Sequence, residues 1–173
     1  MDCITLQNVD ESNFLACFSL ELDAQQEKFV SHPIRSLAQA YVYRGQCTPF
    51  AVCRAGEVIG YLMVIYDYDE EAYFIWHLMI DVQHQGRGYG RAAMEAALAY
   101  IRSRPFGDSS IVRLTVSPEN SVACHLYQTL HFSATGRADE DAHGVCRAEL
   151  DAVGHARLVE REGVAVARGT AAG

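Results

Sequence analysis

The sequence predicts an α/β fold (α+β in some schemes), with strands and helices arranged around a single sheet. Three observations carry this. Two short β-branched and aromatic runs, FAVCR and EVIGYLMVIY, flank Ala55-Gly56 in the pattern of a hairpin. The run AYFIWHLMIDV, from Ala72 to Val82, is nearly continuous in apolar residues and fits a central strand buried on both faces. It leads through a glycine-rich turn into RAAMEAALAYIRSR, rich in strong helix formers, which gives the order strand, turn, helix.

Taken in order, residues 3 to 8 (CITLQN) read as a first strand, and after the capping residues Asp10 and Ser12 the stretch from Asn13 to about Leu22 carries apolar residues at helical spacing. Pro33 and Gly45 frame a second helix from Pro33 to Tyr43, with proline near its first turn and glycine just past its end. The hairpin lies between Pro49 and Asp67, and the acidic segment DYDEE (67 to 71) is a turn or loop. Beyond the central strand and the turn QGRGYGR (85 to 91), the next helix runs to Arg104 and is stopped by Pro105 and Gly107. A strand SIVRLTV (110 to 116) precedes Ser117-Pro118-Glu119-Asn120, which opens the helix VACHLYQTLHF, and strands at 132 to 137 and 143 to 150 close the domain. Residues 1 to 150 thus read as one domain. Beyond Leu150 Ala, Gly, Val and Arg dominate, so 151 to 173 reads as an extension, a weak hairpin or a loose tail.

A chain of 173 residues has the size of one domain and buries roughly two thirds of the surface its unfolded form exposes. The net charge of −8, with no basic cluster, argues against a nucleic-acid partner; the same field favours a small cation such as a polyamine. The six cysteines are scattered without a CxxC pair or zinc spacing, so they read as small buried hydrophobes in a reducing compartment and no metal is expected. The amino terminus lacks the basic region and apolar run of a signal peptide, and no apolar stretch approaches the ~20 residues that span a bilayer. A cytoplasmic protein without a membrane partner is the expectation.

The glycine turn carries the chemistry. Between a buried strand and a helix amino terminus, it presents unpaired backbone N–H groups and the positive end of the helix dipole to an anion. Glycine is needed where a side chain would block a phosphate or where φ is positive, and Arg87 and Arg91 add mobile positive charge. No GxxxxGK[ST] is present, which excludes a P-loop hydrolase. Gly88 to Ala93 fits the GxGxxA dinucleotide variant, but the acid expected about 20 residues on falls near Asp108, before the next strand. A turn that serves only strand-to-helix geometry is the remaining alternative.

LMIDVQHQGRGYGR (78 to 91) resembles motif A of the GNAT acetyltransferases, whose Gln/Arg-x-x-Gly-x-Gly/Ala core is matched by Gln85, Gly88 and Gly90. VSPENSVACHLYQTLHF (116 to 132) resembles motif B, with Asn120 opening a helix and Tyr127 about two turns on. The resemblance implies a mixed central sheet, splayed between strands 4 and 5 with helices on both faces, and acetyl-coenzyme A (acetyl-CoA) as co-substrate in the splay. It implies that backbone groups of Leu78, Met79 and Ile80 pair with the pantetheine arm, and that the amides of Gln85, Gly86, Arg87, Gly88, Tyr89, Gly90 and Arg91 hold the pyrophosphate. Asn120 would contact the pantetheine arm, and Tyr127 would lie near the thioester sulfur as general acid. The family usually has Gly-Phe where this chain has His131-Phe132; if that site is left-handed, histidine suffers ~1 kcal/mol.

The implied reaction is direct attack of an amine on the thioester, with a backbone N–H near Met79 stabilising the oxyanion. An alkylamine of pKa ~10.4 is neutral about once in a thousand molecules at pH ~7.4, so a base or water relay is required, and His77, Asp81 and His125 are the candidates. YDEE (68 to 71) with WHLMID (76 to 81) is similar to the branch that includes spermine/spermidine acetyltransferases, which puts Trp76 and His77 beside the acceptor. An aromatic surface with nearby carboxylates suits a polycation, although DYDEE also reads as a solvated turn. Aminoglycosides, amino acids and protein amines are alternative acceptors, and a non-catalytic CoA-binding sensor is an alternative of another class. The resemblance also suggests a homodimer.

Overall fold

The computed structural model describes residues 3–140, 146–152 and 166–167. Among them, β1 (Ile4–Asn8), β2 (Cys47–Arg54), β3 (Glu57–Asp67), β4 (Ala72–Ile80), β5 (Val112–Val116), β6 (Ser133–Glu140), β7 (Cys146–Ala152) and β8 (Val166–Ala167) form one sheet in the order β6-β7-β5-β4-β3-β2-β1-β8. Its neighbours are antiparallel except the β4–β5 and β1–β8 pairs, so the sheet is mixed. Helices α1 (Phe14–Phe18), α2 (Pro33–Val42), α3 (Tyr89–Arg102) and α4 (Ser121–Thr129) cover it.

The hairpin forms because Ala55 (φ 49°) and Gly56 (φ 85°) are both left-handed, and a two-residue turn of that hand matches the twist of the flanking strands. Along β3 the pleat then sorts side chains to two cores. Leu62, Val64 and Tyr66 join Ala93, Met94, Ala97 and Ile101 of α3 and Tyr127 of α4, whereas Tyr61, Met63 and Ile65 join Cys17 of α1 and Ala40 of α2. The helices therefore lie on both faces, α3 and α4 on one and α1 and α2 on the other. No helix among the described residues is long and apolar enough to cross a membrane.

Two expectations need correction. The first helix stops at Phe18 instead of running to Leu22. Ser19 bonds back to the Leu15 carbonyl at 3.1 Å, and the chain then turns so that the Glu21 amide reaches the Asp81 carboxylate at 2.9 Å; a tertiary contact overrides the helical spacing. The apolar run of β4 is also not buried throughout. The register to β3 shifts between Met63, opposite His77, and Val64, opposite Ile75, so Trp76 is the extra residue of a β-bulge and is 36 % exposed.

The last two strands are longer or later than the sequence indicates, at Ser133–Glu140 and Cys146–Ala152. Of the stretch 151 to 173, residues 151–152 end β7 and 166–167 form β8 beside β1; the reading of the rest as a hairpin or tail falls outside the described residues.

Candidate active site

The site begins where the sheet opens. Parallel strands β4 and β5 pair only at Tyr73↔Val112 and Phe74↔Arg113, although β4 continues to Ile80 and β5 to Val116. Beyond Phe74 the strands part, with the Trp76 bulge just past the last pair. The Asp81 N–H donates to the Ile59 carbonyl at 2.9 Å, and this sets the phase of the β3–β4 ladder. Met79, opposite Tyr61, turns its N–H and C=O toward β3, while those of Leu78 and Ile80 face the gap. The backbone N–H groups near Met79 that point into the opening are therefore those of its two neighbours.

At the wide end of the gap the chain makes a short 3₁₀ turn, Val82–His84, and then the glycine turn. Gly86 (φ 73°) and Gly88 (φ 81°) are left-handed, a conformation that other residues adopt at a cost of about 1–2 kcal/mol. A Cβ on either would meet nothing within 4 Å, so backbone conformation and not crowding by protein requires them. Gly88 is the N-cap of α3 and offers no side chain to cap it. Among the described residues, no backbone N–H from Gln85 to Arg91 donates a hydrogen bond. The turn is thus a row of unsatisfied donors at a positive helix end.

Side chains hold this row in position. Gln85 Nε2 donates to the Ile80 carbonyl at 2.9 Å and to Gln26 Oε1 at 2.8 Å, and Gln26 Nε2 returns a bond to Gln85 Oε1 at 3.0 Å. Gln85 thereby ties the turn to the end of β4 and to the α1–α2 connection. The Tyr89 ring lies under the Arg54 guanidinium at 5.5 Å. Arg87 is exposed, with no partner among the described residues. Arg91 departs from the expectation of a mobile charge: its Nε pairs with Glu95 at 3.0 Å and its Nη1 with Thr129 Oγ1 at 3.0 Å. A Cβ at Gly90 would stand 3.6 Å from Leu126 Cδ2 and 3.9 Å from Ile80 Cγ1, so the first turn of α3, the end of β4 and the middle of α4 meet there.

On α4, Asn120 Oδ1 accepts from the Ala123 amide at 3.2 Å as an N-cap; its Nδ2 has no partner among the described residues. Tyr127 is 9 % exposed and packs its ring on Phe132 at 6.0 Å. Its hydroxyl has no hydrogen-bond partner among the described residues. Burial, with a smaller contribution from the Cys124 thiol, pushes the phenol up to about 12. The helix closes as a Schellman motif: Phe132 N–H donates to the Tyr127 carbonyl and His131 N–H to the Gln128 carbonyl, both at 3.0 Å, with His131 left-handed at φ 64°. Histidine stands where glycine would be unstrained. On the flank of α4 toward β6, Val116, Pro118, Cys124, Gln128 and Phe132 line a shallow pocket of about 420 Å³, apart from the glycine turn.

The candidate bases divide clearly. Both Asp81 oxygens accept backbone amides, from Gln83 and Glu21 at 2.9 Å each, so Asp81 fastens the end of β4. His125 is exposed on α4. His77 Nε2 lies 3.2 Å from Gln39 Oε1, and its ring stacks on Trp76 at 5.6 Å. The acidic turn is at the other end of β4, beside the closed end of the gap. There Glu70 is paired with Arg113 at 2.6 Å and with Arg137 through two contacts of 3.1 Å, and these guanidiniums pull its carboxyl down to about 2. Sequence reasoning missed Gln26, Gln39 and Tyr43, on the connection before α2, on α2 and just after it; nothing local in the sequence marks them.

The chain matches the acetyltransferase (GNAT) family over residues 14–132. No curated protein matches it by sequence. Among solved structures it is similar to the spermidine N-acetyltransferase of Vibrio cholerae in complex with CoA and spermine, with a TM-score of 0.68, 20 % identity, and 86 % of this chain and 94 % of that one covered. The same enzyme in a dodecameric form matches at a TM-score of 0.66 with 19 % identity over 86 % and 92 % of the two chains. RimL, the ribosomal L7/L12 alpha-N-protein acetyltransferase, in complex with CoA, matches at 0.66 with 16 % identity over 87 % and 93 %. At such identities these likenesses speak for the fold, whereas the family match spans both the glycine turn and α4. The chain belongs to the acetyltransferase (GNAT) family.

Proposed function

We propose that this protein transfers the acetyl group of acetyl-CoA to a primary amine by direct attack. The observation that carries the reading is the opening between β4 and β5, where the Leu78 N–H and C=O and the Ile80 N–H face the gap, and which ends in seven consecutive amides, Gln85 to Arg91, without a hydrogen-bond partner among the described residues. A pyrophosphate matches that end in size and charge, and Arg87 adds a free cation. The Leu78 N–H and C=O and the Ile80 N–H have the geometry to pair with an extended amide-bearing arm, and Asn120 Nδ2 is a further donor.

With the pyrophosphate at the wide end, the thioester lies toward the narrow end. The Leu78 N–H is then the donor for negative charge developing on the carbonyl oxygen. The C–N bond forms as the C–S bond breaks, and Tyr127 donates its O–H toward the departing sulfur. The amine's proton leaves to water, since the geometry argues against Asp81 and His125 as bases. Turnover then rises with pH toward the amine's own pKa of ~10 and has no basic limb from Tyr127, which stays protonated to about 12.

Trp76 and His77 border the acceptor side, and polyamines, aminoglycosides, amino acids and peptide amino termini form the panel to be tested. Self-association, simplest as a homodimer, belongs to the same reading and is checked by light scattering. The decisive experiment measures acetyl-CoA binding by calorimetry and thiol release over that panel. Absence of acetyl-CoA binding refutes the reading; tight binding without amine-dependent release from any acceptor identifies a CoA sensor instead.

A further inference from the structure

The β4 bulge builds a second feature at the narrow end of the gap. Because Trp76 is inserted without a partner on β3, it and His77 project together and stack at 5.6 Å with an interplanar angle of 29°. Tyr43, which follows α2, meets Trp76 edge-on at 5.5 Å and 68°. One turn earlier on that helix, Gln39 holds His77 Nε2 at 3.2 Å. The result is a wall of three rings, fixed from two elements, with Trp76 36 % and Tyr43 42 % exposed. The chain's only tryptophan is thus partly exposed two residues beyond the last β4–β5 pair.

Among the described residues, no carboxylate hydrogen-bonds to Trp76 or Tyr43. Asp67 Oδ1 accepts the Asp69 and Glu70 amides, and Glu70 is neutralised by Arg113 and Arg137. On the α1–α2 connection Glu21, Asp23 and Glu27 are exposed carboxylates outside this ring cluster, as are Asp69 and Glu71 on the turn before β4. A polyamine needs a separate anionic partner for each further ammonium that leaves water. A flat apolar group needs a ring face, and a single ammonium gains from the same face.

We propose that the acceptor is a primary amine with one positive charge carried on an aromatic or apolar body, and that Trp76 and Tyr43 select it. This rests on the acetyl-transfer reading above. The test uses the full chain, with initial rates of thiol release for 2-phenylethylamine, butylamine and spermidine, and with acetyl-CoA binding measured separately. The expected order is 2-phenylethylamine over spermidine by about tenfold or more in kcat/KM. Trp76→Ala loses about tenfold for 2-phenylethylamine through KM, leaves the KM for acetyl-CoA unchanged, and is largely rescued by Trp76→Phe. Tyr43→Ala, on a different element, moves in the same direction. Spermidine used as well as or better than 2-phenylethylamine overturns the proposal and leaves acetyl transfer intact, as does an unchanged amine KM in both alanine variants. Binding of acetyl-CoA with no turnover of 2-phenylethylamine also overturns it, whereas loss of acetyl-CoA binding refutes the underlying reading.

Discussion

Tyr127→Phe separates a catalytic hydroxyl from a structural one, because the structure assigns the two roles opposite signs. The phenol is held at about 12 by burial, against ~8.5 for a free thiol, so complete proton transfer to a thiolate is uphill by about 5 kcal/mol. In the proposed reaction Tyr127 would therefore act by donating a hydrogen bond to the charge building on sulfur, and such charge-assisted bonds contribute about 1.5–3 kcal/mol. The variant should lose about 10- to 100-fold in kcat, with the KM for acetyl-CoA nearly unchanged. Its stability should move the other way. The residue is 9 % exposed, and its hydroxyl has no partner among the described residues but is not one of their fully buried unpaired polar atoms, so its removal relieves little desolvation and should raise unfolding free energy only slightly, by under about 1 kcal/mol. Thiol-release kinetics and urea denaturation on the same preparation read both. An unchanged kcat would remove Tyr127 from the reaction; a loss of stability would mean that its hydroxyl serves the fold.

Gly88→Ala introduces a Cβ into open space but at φ 81°, so it should cost about 1–2 kcal/mol of stability and weaken CoA binding measured by calorimetry; unaltered affinity would argue against an anion at those amides. His131→Gly relieves the left-handed closure of α4 and should raise stability by up to about 1 kcal/mol in urea melts, and a destabilised variant would contradict the strain assigned to φ 64°. Tyr127 titrates at ~10 unfolded and about 12 folded; a raised folded pKa means stability complete below pH ~10 and lost as pH climbs to about 12, by about 3 kcal/mol, and this part of the alkaline loss should vanish in Tyr127→Phe. Glu70 behaves in the opposite sense: its carboxyl is lowered to about 2 by Arg137 and Arg113, so the stability it contributes is present above pH ~4.5 and lost as pH falls toward 2, and Glu70→Gln should flatten that acid limb in pH-dependent melts.

Much of this molecule is determined locally. The Ala55-Gly56 turn, the proline at the start of α2, the glycine turn at the head of α3 and the Asn120 cap of α4 each act within a few residues, so the hairpin, the helices and the anion-ready amides can be read from the chain. The His131 departure could be anticipated in the same way, because a left-handed helix stop is a property of one residue and its neighbours.

Tertiary structure decided what depends on two distant segments meeting. The parting of β4 and β5 after Phe74, and the ladder phase that turns Leu78 and Ile80 rather than Met79 toward the gap, follow from pairing partners and have no signature within β4. The bulge at Trp76, the clasp of Asp81 on Glu21, the Gln26–Gln85 pair and the pairing of Arg91 with Thr129 likewise join residues from different elements. Sequence spacing encodes which residues share a helix face or a strand face, because those periods are properties of the backbone; it carries no distance between elements. The acidic turn shows the consequence: it lies at the closed end of the gap, where Glu70 is paired with two arginines, while the aromatic wall beyond the last β4–β5 pair joins Trp76 to Tyr43 at the end of α2.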